Sequence, residues 1–126
     1  MDWRKFGFSL IHAARGIRDL WRTQQNFRLE VVIGVLVLLA AVWFELRPIE
    51  KAVIVMMVMF ELVAEAANSV LENILDGVSK NFSPRFRVAK DMLAGLTLVV
   101  AMCSAVVGVV IFYPYVLKLL LSGYWK

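Results

Sequence analysis

The sequence predicts an all-α integral membrane protein, with an N-terminal amphipathic surface helix followed by three transmembrane helices. Three observations carry that expectation. Hydrophobic residues make up 61% of the 126, where an ordinary soluble domain holds about half. Three apolar stretches approach or exceed the roughly 20 residues that cross a bilayer. The polar interruptions of the second stretch keep helical spacing, as a built site would and random drift would not. Spread over three spans, so few residues leave no room for a separate soluble domain, and one membrane domain over residues 1–126 is expected.

Residues 1–28 are expected to form the surface helix. Trp3, Phe6, Leu10, Ala14, Ile17 and Trp21 recur at spacings of three and four, which places them on one helical face. Arg4, Lys5, His12, Arg15, Arg18 and Arg22 occupy the remainder. Such a helix lies in the headgroup layer with its aromatic face toward the acyl chains. The stretch lacks the unbroken apolar core and small-residue cleavage site of a secretory signal, so it is expected to persist in the mature protein.

The first span, residues 29–46, carries Glu30 near its start and ends among Glu45, Arg47 and Pro48. The second, residues 49–76, is long enough to cross with tilt. It contains Glu61, Glu65, Asn68, Glu72 and Asp76. Residues 77–91, with Asn81, Ser83, Pro84 and four basic side chains, have the composition of an aqueous loop. The third span, residues 92–117, holds no charge; Ala94, Ala101, Ala105 and Gly108 form a small-residue stripe suited to close helix packing, and Pro114 and Lys118 mark its far end.

Positive charge sets the orientation. Arg4, Lys5, Arg15, Arg18, Arg22 and Arg28 precede the first span, and Lys80, Arg85, Arg87 and Lys90 follow the second, whereas the intervening turn has only Arg47 and Lys51. The positive-inside rule puts the N-terminus and the 77–91 loop in the cytoplasm and the C-terminus outside. The net charge of +4 therefore reads as attraction to anionic headgroups beside apolar segments, with no nucleic-acid partner expected. The single cysteine, Cys103, lies in an apolar run and offers neither a disulfide framework nor a metal cluster.

At 100° per residue, Glu61, Glu65, Asn68, Glu72 and Asp76 fall within a sector of roughly 80° on the second span. Each acid at mid-membrane costs about 2.5–3.5 kcal/mol on insertion scales, so the stripe must face protein, water or ions rather than lipid. A rise of about 1.5 Å per residue puts Glu72 roughly 6 Å and Glu65 roughly 16 Å deeper than Asp76, which adjoins the aqueous loop. Asn68 or a single acid could serve as an interhelical hydrogen bond. Four carboxylates in a row repel one another and require a cation or a proton. A divalent metal arriving with a phosphate substrate meets that need, because Mg²⁺ takes one or two carboxylates plus phosphate oxygens. No GxxxxGK[ST] loop, GxGxxG turn, HExxH helix or paired CxxC occurs in the chain, so the soluble nucleotide and zinc motifs are absent.

The segment AEAANSVLENILD, followed thirteen residues after Asp76 by AKDMLAG, resembles the signature of the small prokaryotic diacylglycerol kinases. The likeness extends from about residue 4 to Pro114, and HAARGI, RTQQNFR and VVGVVIFYP lean toward the branch that phosphorylates undecaprenol. The resemblance implies a homotrimer in the bacterial inner membrane, with active sites shared between subunits and the ATP γ-phosphoryl group passed to a lipid hydroxyl.

By motif position, the resemblance implies that Glu65 is the general base for the lipid hydroxyl and that Glu72 binds Mg²⁺ on the nucleotide. Asn68 would help hold the nucleotide phosphates, Lys90 and Asp91 would lie near ATP, and Asp76 would brace that group. Gln24 stands where the family pattern has a metal-binding Glu, and its neutral amide oxygen is a weaker ligand. His12 falls where relatives contact nucleotide and Lys5 where they contact lipid. Ala94 replaces a serine of the diacylglycerol-specific branch, a further lean toward a polyprenol. Glu61 and Glu30 fall outside the recognised motif. Two other readings remain at this point: a trimeric scaffold or lipid-binding protein weakened by Gln24, and an ion or proton pathway. The second would need acids continuing outward, yet residues 52–60 are wholly apolar.

Overall fold

A computed structural model describes residues 3–78 and 84–122. It contains four helices in chain order: α1 (Trp3–Thr23), α2 (Gln25–Trp43), α3 (Pro48–Val78) and α4 (Pro84–Ser122). The last three are long and apolar enough to cross a membrane. The principal packing pairs are α3 with α4, α2 with α3, and α1 with α2.

The surface helix ends sooner than expected, at Thr23, and Gln24 interrupts the chain in extended conformation (φ −102°, ψ 112°) before α2 begins at Gln25. Neither Gly nor Pro marks this break. It is stabilised by the Arg28 guanidinium, whose Nη1 donates to the carbonyls of Trp21 (2.9 Å) and Arg22 (3.1 Å). Those are carbonyls that the end of a helix leaves unpaired, at the pole that favours a cation. No residue of α1 is buried, and Trp3, Phe6, Leu10, Ile17 and Trp21 are all exposed, the condition of a helix whose apolar partner is a lipid surface.

At the other end of α2 the chain reverses in four residues. Leu46 N donates to Ala41 O and Glu45 N to Val42 O, with Glu45 left-handed at φ 52°; this is a Schellman arrangement built on a non-glycine residue. Its apolar pair, Ala41 and Leu46, joins Ile54 in the buried core, flanked by Phe44, Ile111, Phe112 and Tyr115. Pro48 opens α3 with a preset φ. Glu50, three residues after Arg47, accepts the Arg47 backbone N–H at 2.9 Å and the Arg47 side chain at 2.6 and 3.0 Å. Tyr115 of α4 donates its hydroxyl to the same carboxylate. One acid thus ties the turn, α3 and α4 together.

Two expected boundaries are corrected. The aqueous loop proposed over residues 77–91 is much shorter: α3 continues to Val78 and α4 starts at Pro84, while residues 79–83 lie outside the described residues. Polarity signalled departure from lipid, not loss of helix, and Pro84 is well placed at a first helical turn. The helix that carries the third span runs unbroken past Pro114 to Ser122, as membrane helices tolerate an internal proline. The small-residue stripe also behaves differently from expectation. Ala94, Ala101 and Ala105 stay exposed; Ala101, Ala105 and Gly108 line a groove between α2, α3 and α4.

Length provides a depth ruler. The 19 residues of α2 span about 28 Å, close to the roughly 30 Å of a hydrocarbon core. Counted from Pro48, about 20 residues of α3 cover that thickness, so the boundary on the far side falls near Ala67. Glu72 and Asp76 then project into the aqueous layer, Glu65 sits just inside the boundary, and Glu61 is about 9 Å below it.

Candidate active site

The acidic face of α3 turns toward protein over its middle. Glu65 and Asn68 are only 5% and 8% exposed, and the adjoining Ser69 is 1% exposed. Glu61 and Glu72 are half-buried and Asp76 is exposed. Burial therefore rises and falls along the stripe, with its maximum at Glu65 and Asn68 near the bilayer boundary.

The side chains of Asn26 on α2 and Asn68 one turn further along α3 lie beside the Glu65 carboxylate and act on it electrostatically. Asn26 reaches it because α2 restarts at Gln25 and Phe27, which is buried, seats that first turn on the bundle. Two neighbouring amides can each donate to the carboxylate and still leave lone pairs for an incoming hydroxyl. Asn68 Oδ1 is buried without a partner. An unpaired oxygen is an acceptor, so in this arrangement Asn68 suits a cation or a hydroxyl proton.

Toward the aqueous end, Glu72 lies within electrostatic reach of both Glu65 and Lys90. Lys90 Nζ, on α4, is 2.9 Å from Asp76 Oδ1 and 3.2 Å from Oδ2 on α3. The ammonium and the two acids thus crowd the mouth formed where α3 and α4 leave the membrane together. Asp91, next along α4, is exposed. Gln24 occupies the α1–α2 break and is half-buried.

The structure brings Glu65, Asn68, Glu72, Asp76 and Lys90 into one column. It does not gather His12, which is exposed on α1, nor Ala94, whose side chain is exposed on α4. Lys5 likewise belongs to α1, which packs principally on α2. Two residues emerge that the sequence did not single out as site members. Asn26 was hidden because nothing local distinguishes it from its neighbours in RTQQNFR. Glu30, outside the recognised motif, approaches Glu61 and Glu65 closely enough to interact electrostatically with both.

Among the described residues no group of three or more His, Cys, Asp or Glu could by itself hold a metal. Glu72 and the orphaned Asn68 oxygen on one face of α3, and the Gln24 amide at the α1–α2 break, are oxygen donors of the kind Mg²⁺ takes when phosphate and water fill most of its shell.

Residues 11–112 match the family described as prokaryotic diacylglycerol kinase, a span that takes in His12, Gln24, the whole acidic stripe, Lys90, Asp91 and Ala94 and leaves out Lys5. The chain is similar to the undecaprenol kinase of Bacillus subtilis, at 34% identity across 87% of this chain and 89% of that protein. It is also similar to a diacylglycerol kinase of Synechocystis, at 31% identity across 89% of this chain and 65% of that protein. The diacylglycerol kinase of Escherichia coli is 23% identical across 80% of this chain and 83% of its own length.

Proposed function

Because the chain belongs to the prokaryotic diacylglycerol kinase family, and so is a lipid kinase, we propose that it passes the γ-phosphoryl group of ATP to a membrane lipid alcohol, undecaprenol ahead of diacylglycerol. The products would be undecaprenyl phosphate or phosphatidate. The observation that carries the reading is Glu65, a carboxylate nearly excluded from solvent with two amides beside it, on a helix long and apolar enough to cross a membrane.

Phosphoryl transfer asks little covalent chemistry of a protein; it needs an aligned nucleophile and neutralised phosphate charge. Glu65 accepts the proton of the lipid hydroxyl as the oxygen attacks, and Asn26 with Asn68 keeps the carboxylate turned toward it. The nucleotide comes from the aqueous side, where Lys90 supplies positive charge beside the phosphates and Asp76 fixes the ammonium. Glu72, Gln24 and the Asn68 oxygen are the groups that would hold Mg²⁺. When bound, that ion neutralises the β- and γ-phosphate oxygens. Asp91 orients polar contacts near ATP, and His12 and Lys5 on α1 extend the site toward nucleotide and lipid headgroup.

The preference for undecaprenol rests on the HAARGI and RTQQNFR segments, on Ala94, and on similarity to the Bacillus enzyme. We place the protein in the bacterial inner membrane, with the N-terminus and the α3–α4 connection cytoplasmic, as a homotrimer whose neighbours complete each site. The test is transfer from labelled ATP by purified protein to each lipid. Phosphate incorporated into undecaprenol in preference to diacylglycerol is expected. Transfer to neither, in a protein whose Gln24→Glu variant transfers readily, would replace this reading by that of a weakened scaffold.

A further inference from the structure

A cavity opens at the end of the bundle opposite Lys90, where α2 turns into α3 beside the last turns of α4. It measures about 650 Å³; its charged lining is Glu45, Arg47, Glu50 and Lys118, and Trp43 and Tyr115 are among its aromatic walls. That volume is within the range of about 300–1,000 Å³ typical of small-molecule sites. One hydrogen bond sets its depth. Tyr115 donates to Glu50, two residues from the start of α3 at Pro48, so Tyr115 is level with the edge of the hydrocarbon layer. Lys118, three residues further along α4, lies about 4.5 Å beyond it. Trp43 and Tyr115 are thus aromatic side chains of a membrane interface, and the cavity stands in the headgroup layer.

The four charges divide unequally. Arg47 and Glu50 are committed to each other at 2.6 and 3.0 Å. The Glu45 carboxylate and the Lys118 ammonium have no hydrogen bond or ion pair with any described residue, each other included. The cavity therefore holds one free anion and one free cation, too far apart to meet. Among the described residues Glu45 is also the one non-glycine at positive φ, 52°. Glycine would hold that turn without steric cost, so the side chain comes at the expense of the backbone, a pattern that clusters at ligand sites.

We propose that this cavity binds the headgroup of a zwitterionic phospholipid whose cationic end is a primary ammonium, of the phosphatidylethanolamine kind. The ammonium donates to Glu45 and lies beside the Trp43 ring, whose face attracts a cation, while the phosphate diester meets Lys118. Choline has no N–H to donate and the glycerol headgroup carries no cation, so phosphatidylcholine and phosphatidylglycerol each satisfy only part of the site. Trp43 and Leu119, 72% and 50% exposed, line the same cavity and give the lipid glycerol and first acyl carbons an apolar wall that a water-soluble zwitterion would leave unfilled. The site lies across the membrane from the acidic column and does not depend on the phosphoryl-transfer reading.

The experiment equilibrates full-length protein in detergent micelles with equal amounts of dioleoyl phosphatidylethanolamine, phosphatidylglycerol and phosphatidylcholine, and reads the retained lipids by native mass spectrometry. Retention of the ethanolamine lipid ahead of the other two is expected. Its Kd should rise about tenfold in Glu45→Gln and in Lys118→Met, the loss of one hydrogen bond to a charged group, and stay unchanged in Lys51→Met, which removes a cation on the same side of the membrane but outside the cavity. Glu45→Gly should lose the same affinity while melting no lower than the parent protein, which separates binding from folding. Equal retention of the three headgroups, or retention indifferent to the substitutions at Glu45 and Lys118, overturns the proposal. Displacement by water-soluble glycerophosphoethanolamine as effective as displacement by the lipid itself would overturn the assignment to a membrane lipid.

Discussion

Lys90 Nζ stands 2.9 Å from Asp76 Oδ1, joining the end of α3 to the beginning of α4 across residues 79–83. Asp76 is exposed and Lys90 half-buried at the surface, so the pair is open to solvent and contributes little to folding. Its consequence is positional: it holds an ammonium group beside Glu72 at the aqueous mouth of the site. Lys90→Met should therefore raise the KM for ATP sharply while the melting temperature stays where it was. Asp76→Asn should do the same more weakly. Equal losses of stability and activity in steady-state kinetics and thermal melts would reassign the bridge to folding.

Glu65 offers the sharpest kinetic test. Glu65→Gln preserves shape and removes the base, so kcat should fall by about 10²–10⁴-fold with the KM for ATP unchanged. Because a buried charge is replaced by a neutral amide, stability should not decrease. Undiminished turnover would remove Glu65 from its role as base.

Gln24 lies at the α1–α2 break with a neutral oxygen where a carboxylate would bind metal better. Gln24→Glu should lower the Mg²⁺ concentration for half-maximal activity by about tenfold, the scale on which ligand chemistry alters metal affinity. A magnesium titration of initial rates decides it, and an unchanged midpoint would mean that residue 24 does not meet the ion.

The close approach of α2 and α3 is set by Gly34. A Cβ there would stand 2.7 Å from Val58 Cγ1, and a β-branched neighbour in a helix has little rotamer freedom with which to yield. Gly34→Ala should cost about 1–3 kcal/mol through overpacking, despite the better helix propensity of alanine. In the Val58→Ala background the same change should be neutral or stabilising, as melts of the two single variants and the double variant will show.

Glu45 holds a left-handed conformation that costs an L-residue about 1–2 kcal/mol. Glu45→Gly should stabilise the protein by about 1 kcal/mol, measured as a higher melting temperature. No change would mean that the turn relaxes to accept a side chain.

Much of this architecture was legible in the chain because bilayers impose simple rules. Three apolar runs gave three spanning helices, and the periodicity of Trp3, Phe6, Leu10, Ile17 and Trp21 gave the exposed amphipathic helix. Element ends were less legible. Residues 84–91 looked like a loop because charge and proline signal water and termination together, whereas Pro84 opens a helix that simply leaves the membrane. The break at Gln24 left no local mark, since its stabilising group, Arg28, acts from the following helix.

Sequence alone determined that Glu61, Glu65, Asn68, Glu72 and Asp76 share a face, because helical periodicity is a local property and insertion cost forbids that face to lipid. Which of them is most buried, that Asn26 lies beside Glu65, that Glu30 lies opposite Glu61 and that Lys90 reaches Asp76 were decided by the packing of α2 and α4 on α3. Those relationships join residues far apart in the chain, and only the distance between helices, set at contacts such as Gly34 with Val58, brings their side chains within reach.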